Sequence, residues 1–104
     1  MAQFVIFYIG GKEPESPEAG QAHFAKWKQW LEDLGPAVVN PGQPLKNSKT
    51  LSGGTVTDTP KMRATTGWSI VEAADQDAAL RIAADCPFTE MGDLEVAELQ
   101  SMNM

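Results

Sequence analysis

Phe4-Val5-Ile6-Phe7-Tyr8-Ile9 is an unbroken run of aromatic and β-branched residues. Successive side chains of a strand point to opposite faces, so Phe4, Ile6 and Tyr8 share one face and Val5, Phe7 and Ile9 the other. Both faces are apolar, which marks a central strand of a sheet that is covered on both sides. Gly10-Gly11 ends the run, and Pro14 and Pro17 make residues 12–18 a loop.

Downstream of that loop, Ser16-Pro17-Glu18 has the chemistry of a helix start. A hydroxyl can cap, proline fits the first turn, and a carboxylate favours the positive end of the helix dipole. Phe24, Trp27, Leu31 and Leu34 then recur at helical spacing, and Gly35-Pro36 closes the segment. Ala37-Val38-Val39-Asn40 reads as a short strand. Ser52-Gly53-Gly54 between 45–51 and 55–57 reads as a hairpin turn, with its polar, Thr-rich arms as edge strands. A loop around Pro60 leads to a second firm strand, Gly67-Trp68-Ser69-Ile70-Val71-Glu72-Ala73. Asp75 caps a helix over 76–85 that buries Ala79, Ile82, Ala83 and Cys86, Pro87 ends it, and residues 94–100 form the last strand.

This order of elements gives one domain over residues 1–104 with an α+β, ferredoxin-like sandwich: two helices on one face of a mostly antiparallel four-stranded sheet, plus a possible extra hairpin. Two helices cover one face. One of the two apolar sets, Phe4, Ile6 and Tyr8 or Val5, Phe7 and Ile9, then lies on the other, and a second copy of the same sheet is the simplest cover. A homodimer through the sheet face is therefore expected.

Composition narrows the class. The 104 residues are enough for one core, and 42% hydrophobic against 21% charged residues is the balance of a globular chain. The net charge of −6 repels phosphate backbones and anionic membranes, so neither nucleic acid nor membrane is an expected partner. A single cysteine, Cys86, allows no intrachain disulfide. The N-terminus reads as no signal peptide and the longest apolar run is far too short to span a bilayer, so a cytoplasmic location is expected. One histidine, one cysteine and scattered carboxylates give no metal spacing, and the glycine pairs lack the pattern of a phosphate loop. No cofactor is expected.

Several stretches resemble the YCII-related (DGPF-type) family in order along the chain: the strand 4–9; His23-Phe24-Ala25-Lys26-Trp27 through Leu34-Gly35; Asn40-Pro41-Gly42-Gln43-Pro44-Leu45; and the strand 67–73 followed by Ala78-Ala79-Leu80 and Ala83-Ala84-Asp85-Cys86-Pro87. Thr57-Asp58-Thr59-Pro60 stands where the family carries its Asp-Gly-Pro-Phe signature. The resemblance implies a ferredoxin-like fold and a dimeric α+β barrel assembly. Related barrels include muconolactone isomerases, a chloromuconolactone dehalogenase and oxygenases without cofactors. In one branch, a first-helix histidine and an Asp before the second-helix proline are proposed site residues. His23 matches the first; Cys86 holds the second position, with Asp85 adjacent.

On the residues themselves, His23 falls within about 20° of Trp30 and Leu34 at roughly 100° per residue, at the margin of the apolar stripe. An imidazole there can exchange a proton near neutral pH, or can be a solvent-edge side chain. Asp58 and Asp85 either orient it or serve as a turn residue and a solvated charge. Tyr8, Trp27 and Trp68 are core or dimer-contact residues that can also line a pocket for a small apolar organic acid or lactone. Two functions follow: a homodimeric small-molecule-binding module without turnover, or a small-molecule enzyme of lactone isomerase, lyase or dehalogenase type with His23 as general acid and base.

Overall fold

A computed structural model of the chain describes residues 1–100. The elements run β1 (Ala2–Ile9), α1 (Pro17–Leu34), β2 (Val38–Asn40), β3 (Lys49–Ser52), β4 (Thr55–Asp58), β5 (Thr65–Ala73), α2 (Gln76–Ala84) and β6 (Asp93–Glu98), with short 3-10 turns at Gly35–Ala37, Lys61–Arg63 and Pro87–Glu90. β1 is central, as its double-sided apolar pattern requires: the sheet order is β2-β5-β1-β6, every neighbour antiparallel. Both helices lie over one face, which is the ferredoxin-like α+β arrangement.

Local chemistry sets the element ends. Ser16 Oγ accepts from the Ala19 amide at 3.1 Å with Pro17 in the first helical position, and the Asp75 carboxylate accepts from the Ala78 amide at 2.8 Å. Gly35, at φ 54°, donates back to the Leu31 carbonyl and stops α1. Gly53 and Gly54, at φ 56° and 82°, supply the two left-handed positions of a two-residue hairpin turn.

The inner face of the sheet carries Phe4, Ile6, Tyr8, Val71 and Ala73, buried with Trp30, Ala79, Ala83, Cys86 and Phe88. Alternation sends Val5, Phe7, Ile9, Trp68 and Ile70 to the outer face, where no helix lies and all five stay partly exposed.

Two expectations are revised. The 45–57 region forms the extra hairpin but supplies no edge strand to the main sheet: β3 and β4 pair only with each other in a separate two-stranded sheet, and the edges of the main sheet are β2 and β6. Phe24 is not inward. It is 65% exposed, and the inward stripe of α1 is instead His23, Trp27, Trp30, Leu31 and Leu34. At about 100° per residue Phe24 lies roughly 60° from Trp27 on the side away from Trp30, beyond the arc that touches the sheet.

Candidate functional site

The inner face holds a connected set of aromatic rings. Trp27 of α1 meets Tyr8 of β1 edge-on at 4.8 Å between centroids, Trp30 at 5.8 Å and Phe88 at 6.2 Å, and Tyr8 meets Phe88 at 5.3 Å. Tilted and edge-to-face geometries at these separations are the favourable ones for aromatic quadrupoles. His23, one turn before Trp27, is half-buried with its ring 5.9 Å from that indole. Phe88 comes from the 3-10 turn after α2. Its ring rests on Gly11 and Gly92, where an added Cβ would come within 3.1 Å and 2.8 Å of it. Glycine at both positions is what lets the ring lie down against Tyr8.

Beneath the rings lies a short polar chain. Tyr8 Oη donates to Ser69 Oγ at 2.8 Å, and Ser69 Oγ donates to the Pro41 carbonyl at 2.7 Å. Burial drives the Tyr8 phenol well above its ordinary range. The Ser69 hydrogen bond opposes that rise and the neighbouring Cys86 adds to it. Burial likewise pushes the Cys86 thiol up to about 11, against a smaller lowering by the Phe88 backbone amide. Cys86 is thus a neutral, small hydrophobe at the floor of the site and not an activated nucleophile.

Between α1 and α2 lies a groove of about 940 Å³, which Trp30 alone of these rings lines. Its floor is apolar, with Trp30, Leu34, Ala73, Ile82 and Cys86, and Trp30 Nε1 donates to the Ile82 carbonyl at 3.2 Å across it. Its rim is charged. Lys26 pairs with Glu90 at 3.6 Å, and Gln29 holds the Asp33 carboxylate at 2.8 Å. Arg81 and Asp85 also line the rim, and neither has an ion-pair partner among the described residues.

The residues singled out by sequence separate into four places. Tyr8 and Trp27 touch, with His23 against Trp27. Asp85 lines the helix groove. Asp58 ends β4 on the separate hairpin, ion-paired with Lys49. Trp68 is on the outer face of the sheet, because its neighbours Gly67 and Ser69 point inward. Among the described residues no hydrogen bond joins His23 to Asp58 or Asp85, and no three potential ligands gather to hold a metal ion. Sequence reading missed Phe88, Ser69 and Arg81. Parity along β5 already put Ser69 on the Tyr8 face, and Arg81 follows Asp77 by one helical turn. Phe88 lay beyond the helix-ending proline, where no periodicity speaks.

The family model of the YCII-related domain matches residues 4–103. No curated protein matches the chain. Among solved structures, the chain is similar to a 5-chloro-2-hydroxyhydroquinone dehydrochlorinase from Burkholderia phenoliruptrix AC1100, in complex with 2,5-dihydroxybenzoquinone. The identity is 24%, the match covers 94% of this chain and 93% of that one, and the TM-score is 0.58. At that identity the likeness is one of fold.

Proposed function

The chain belongs to the YCII-related domain family, and from that premise we propose that it is a homodimeric module that binds a small apolar organic acid in the groove between α1 and α2. The observation that carries this reading is Arg81, a guanidinium without an ion-pair partner among the described residues, standing over an apolar floor of Trp30, Leu34 and Ile82. A planar guanidinium takes a carboxylate through two parallel hydrogen bonds, and an indole beside aliphatic carbons takes the apolar body. Lys26 is engaged by Glu90 and Asp33 by Gln29, which leaves Asp85 to accept from a ligand hydroxyl.

The second subunit covers the outer sheet face. Val5, Phe7, Ile9, Trp68 and Ile70 are adjacent there through the pairs Val5–Ile70 and Phe7–Trp68, an apolar patch of the kind that soluble chains bury.

A thermal-shift screen with benzoate, the hydroxybenzoates and carboxylated γ-lactones tests the ligand reading, because a ligand that binds only the native state raises its melting temperature. At least one of these acids raises Tm in the wild type, and Arg81→Ala removes that rise. A screen with no shift, or a shift untouched by Arg81→Ala, overturns the reading.

A specific observation favours a second reading, a small-molecule enzyme of lactone isomerase, lyase or dehalogenase type. His23 is half-buried against Trp27, whose indole in turn meets the Tyr8 ring, and an imidazole there can move a proton on an aromatic-stacked substrate. The dehydrochlorinase with the same fold is an enzyme that acts on an oxygenated aromatic ring. Turnover of a bound acid or lactone that disappears in His23→Ala supports this reading. Turnover that survives the substitution removes His23 from the chemistry.

A further inference from the structure

The β3–β4 hairpin has a two-sided character that its position leaves unused. The cross-strand pairs Lys49–Asp58 and Leu51–Val56 place those four side chains on one face, and Thr50, Ser52, Thr55 and Thr57 on the other. Every one of the eight is exposed, Leu51 at 71% and Val56 at 62%. A two-stranded hairpin on its own is marginally stable in water, so an arm with an open apolar pair lacks the packing that would hold it. The radius of gyration is 15.0 Å, against about 13 Å for a compact chain of this length.

Charge is segregated in the same sense. Residues 44–66 hold four of the eight cations, Lys46, Lys49, Lys61 and Arg63, and one of the fourteen carboxylates, Asp58, for a net +3. The other four cations and thirteen carboxylates leave −9 on the rest of the chain, which restores the total of −6. The outer sheet face is apolar at its centre and acidic at its margin: Glu72 stands across from Gln3, Glu95 across from Phe7 and Asp93 across from Ile9.

Lys49 and Asp58 neutralise each other within the hairpin and Lys61 pairs with Glu13, so of these four cations the two free of an ion pair among the described residues are Lys46 and Arg63, at the base of the arm. One chain thus carries an arm with an apolar centre and a basic base, and an acidic face with an apolar centre. The geometry points to an arm exchange in the homodimer: the Lys49–Leu51–Val56–Asp58 side of each hairpin lies on the outer sheet face of the second copy, its apolar pair on the apolar centre and Lys46 and Arg63 at its base against the acidic margin. Such a contact is isologous, each arm reaching the other chain, and closes without further growth. The inference rests on the homodimer proposed above and adds which segment makes the contact.

Sedimentation velocity tests it with four proteins: wild type, Leu51→Ser/Val56→Ser, Lys46→Glu/Arg63→Glu, and the sheet-face variant Phe7→Glu, each checked by circular dichroism for an unchanged fold. Expected are a wild-type dimer that weakens with added salt, and a dissociation constant raised at least about tenfold by either arm variant. Mixing Lys46→Glu/Arg63→Glu with Glu72→Lys/Glu95→Lys should restore association. A wild type that is monomeric at every concentration overturns the homodimer itself. A dimer broken by Phe7→Glu and untouched by both arm variants leaves the homodimer standing and overturns the arm exchange. Arm variants that weaken the dimer, with no restoration by the complementary charges, place the arm elsewhere on the partner and also overturn it. So does an unaffected dimer whose arm variants lose binding to phosphatidylserine vesicles.

Discussion

Tyr8 Oη donates to Ser69 Oγ at 2.8 Å, and that same serine hydroxyl donates onward to the Pro41 carbonyl at 2.7 Å. Among the described residues Ser69 is the one buried polar residue of the core, and it links its two neighbours. Ser69→Ala leaves a buried phenol and a backbone carbonyl each short of a partner and is expected to cost about 1–3 kcal/mol. Tyr8→Phe removes one donor while Ser69 keeps its acceptor, so its cost should be nearer roughly 1 kcal/mol. Urea unfolding of the two single variants and of the pair checks this. A double variant as costly as the sum of the singles would show that the two hydroxyls do not depend on each other.

Trp30 and Phe24 lie on one helix and separate burial from hydrophobicity. Trp30 is 7% exposed, packs against Trp27 and donates to the Ile82 carbonyl, so Trp30→Ala is expected to cost about 3–5 kcal/mol. Phe24 is 65% exposed, and Phe24→Ala should stay within about 0.5 kcal/mol of wild type. Denaturant midpoints at constant m-value measure both. Equal costs would mean that Phe24 is covered in solution.

The same pair shows what the sequence carried. Strand parity sufficed to separate Phe4, Ile6 and Tyr8 from Val5, Phe7 and Ile9, though only the packed helices make the first set the inner one, and caps at Ser16 and Asp75 and the stop at Gly35 are local chemistry that any fold would reuse. Phe24 was misplaced because a helix stripe about 100° wide admits two registers, and the choice between them is made by what the sheet offers on the other side. The groove was invisible for a related reason. Arg81 and Asp85 become its rim only because α1 and α2 splay over the sheet, a tertiary spacing with no periodic signature. Trp68 could have been separated from Tyr8 and Trp27 by counting parity from Ser69. The hairpin's separation from the main sheet could not, since its Thr-rich arms fit an edge strand and a free ladder equally well.

Cys86 gives a prediction with a sign. Its folded pKa of about 11 exceeds the ordinary thiol value of 9.0, because burial penalises the thiolate. The fold therefore favours the protonated thiol, and this contribution to stability is fully present below pH 9.0 and is lost as pH rises toward about 11. Tyr8, raised in the same direction by burial, extends the loss to higher pH. Melting temperature should fall with pH across that window, and less steeply in Cys86→Ala once its own lower starting stability is subtracted. Iodoacetamide at pH 8 should label native protein far more slowly than urea-unfolded protein, because the thiolate is the nucleophile. Native labelling at the unfolded rate would place the thiol in water.

Gly42 and Gly53 both hold left-handed backbone, at φ 80° and 56°, and only one has a neighbour in the way. At Gly53 an added Cβ meets nothing within 4 Å, so Gly53→Ala should cost only the conformational penalty of about 1–2 kcal/mol. At Gly42 the same atom would overlap the carbonyl oxygen of Trp68, and the Gly42 amide is already committed to Asn40 Oδ1 at 2.9 Å. The chain can relieve that overlap only by drawing residues 40–44 away from β5. That movement threatens the Ser69 bond to Pro41 and the bridge between Pro44 and Gly67, so one methyl group disturbs both the edge of the sheet and the polar chain under Tyr8. Gly42→Ala is accordingly expected to be the more damaging by more than about 2 kcal/mol, the range of core strain and lost buried hydrogen bonds. Hydrogen exchange locates the damage: faster exchange confined to β2 and β5 fits this route, and unchanged protection there with the same loss of stability would point to a cause away from Trp68.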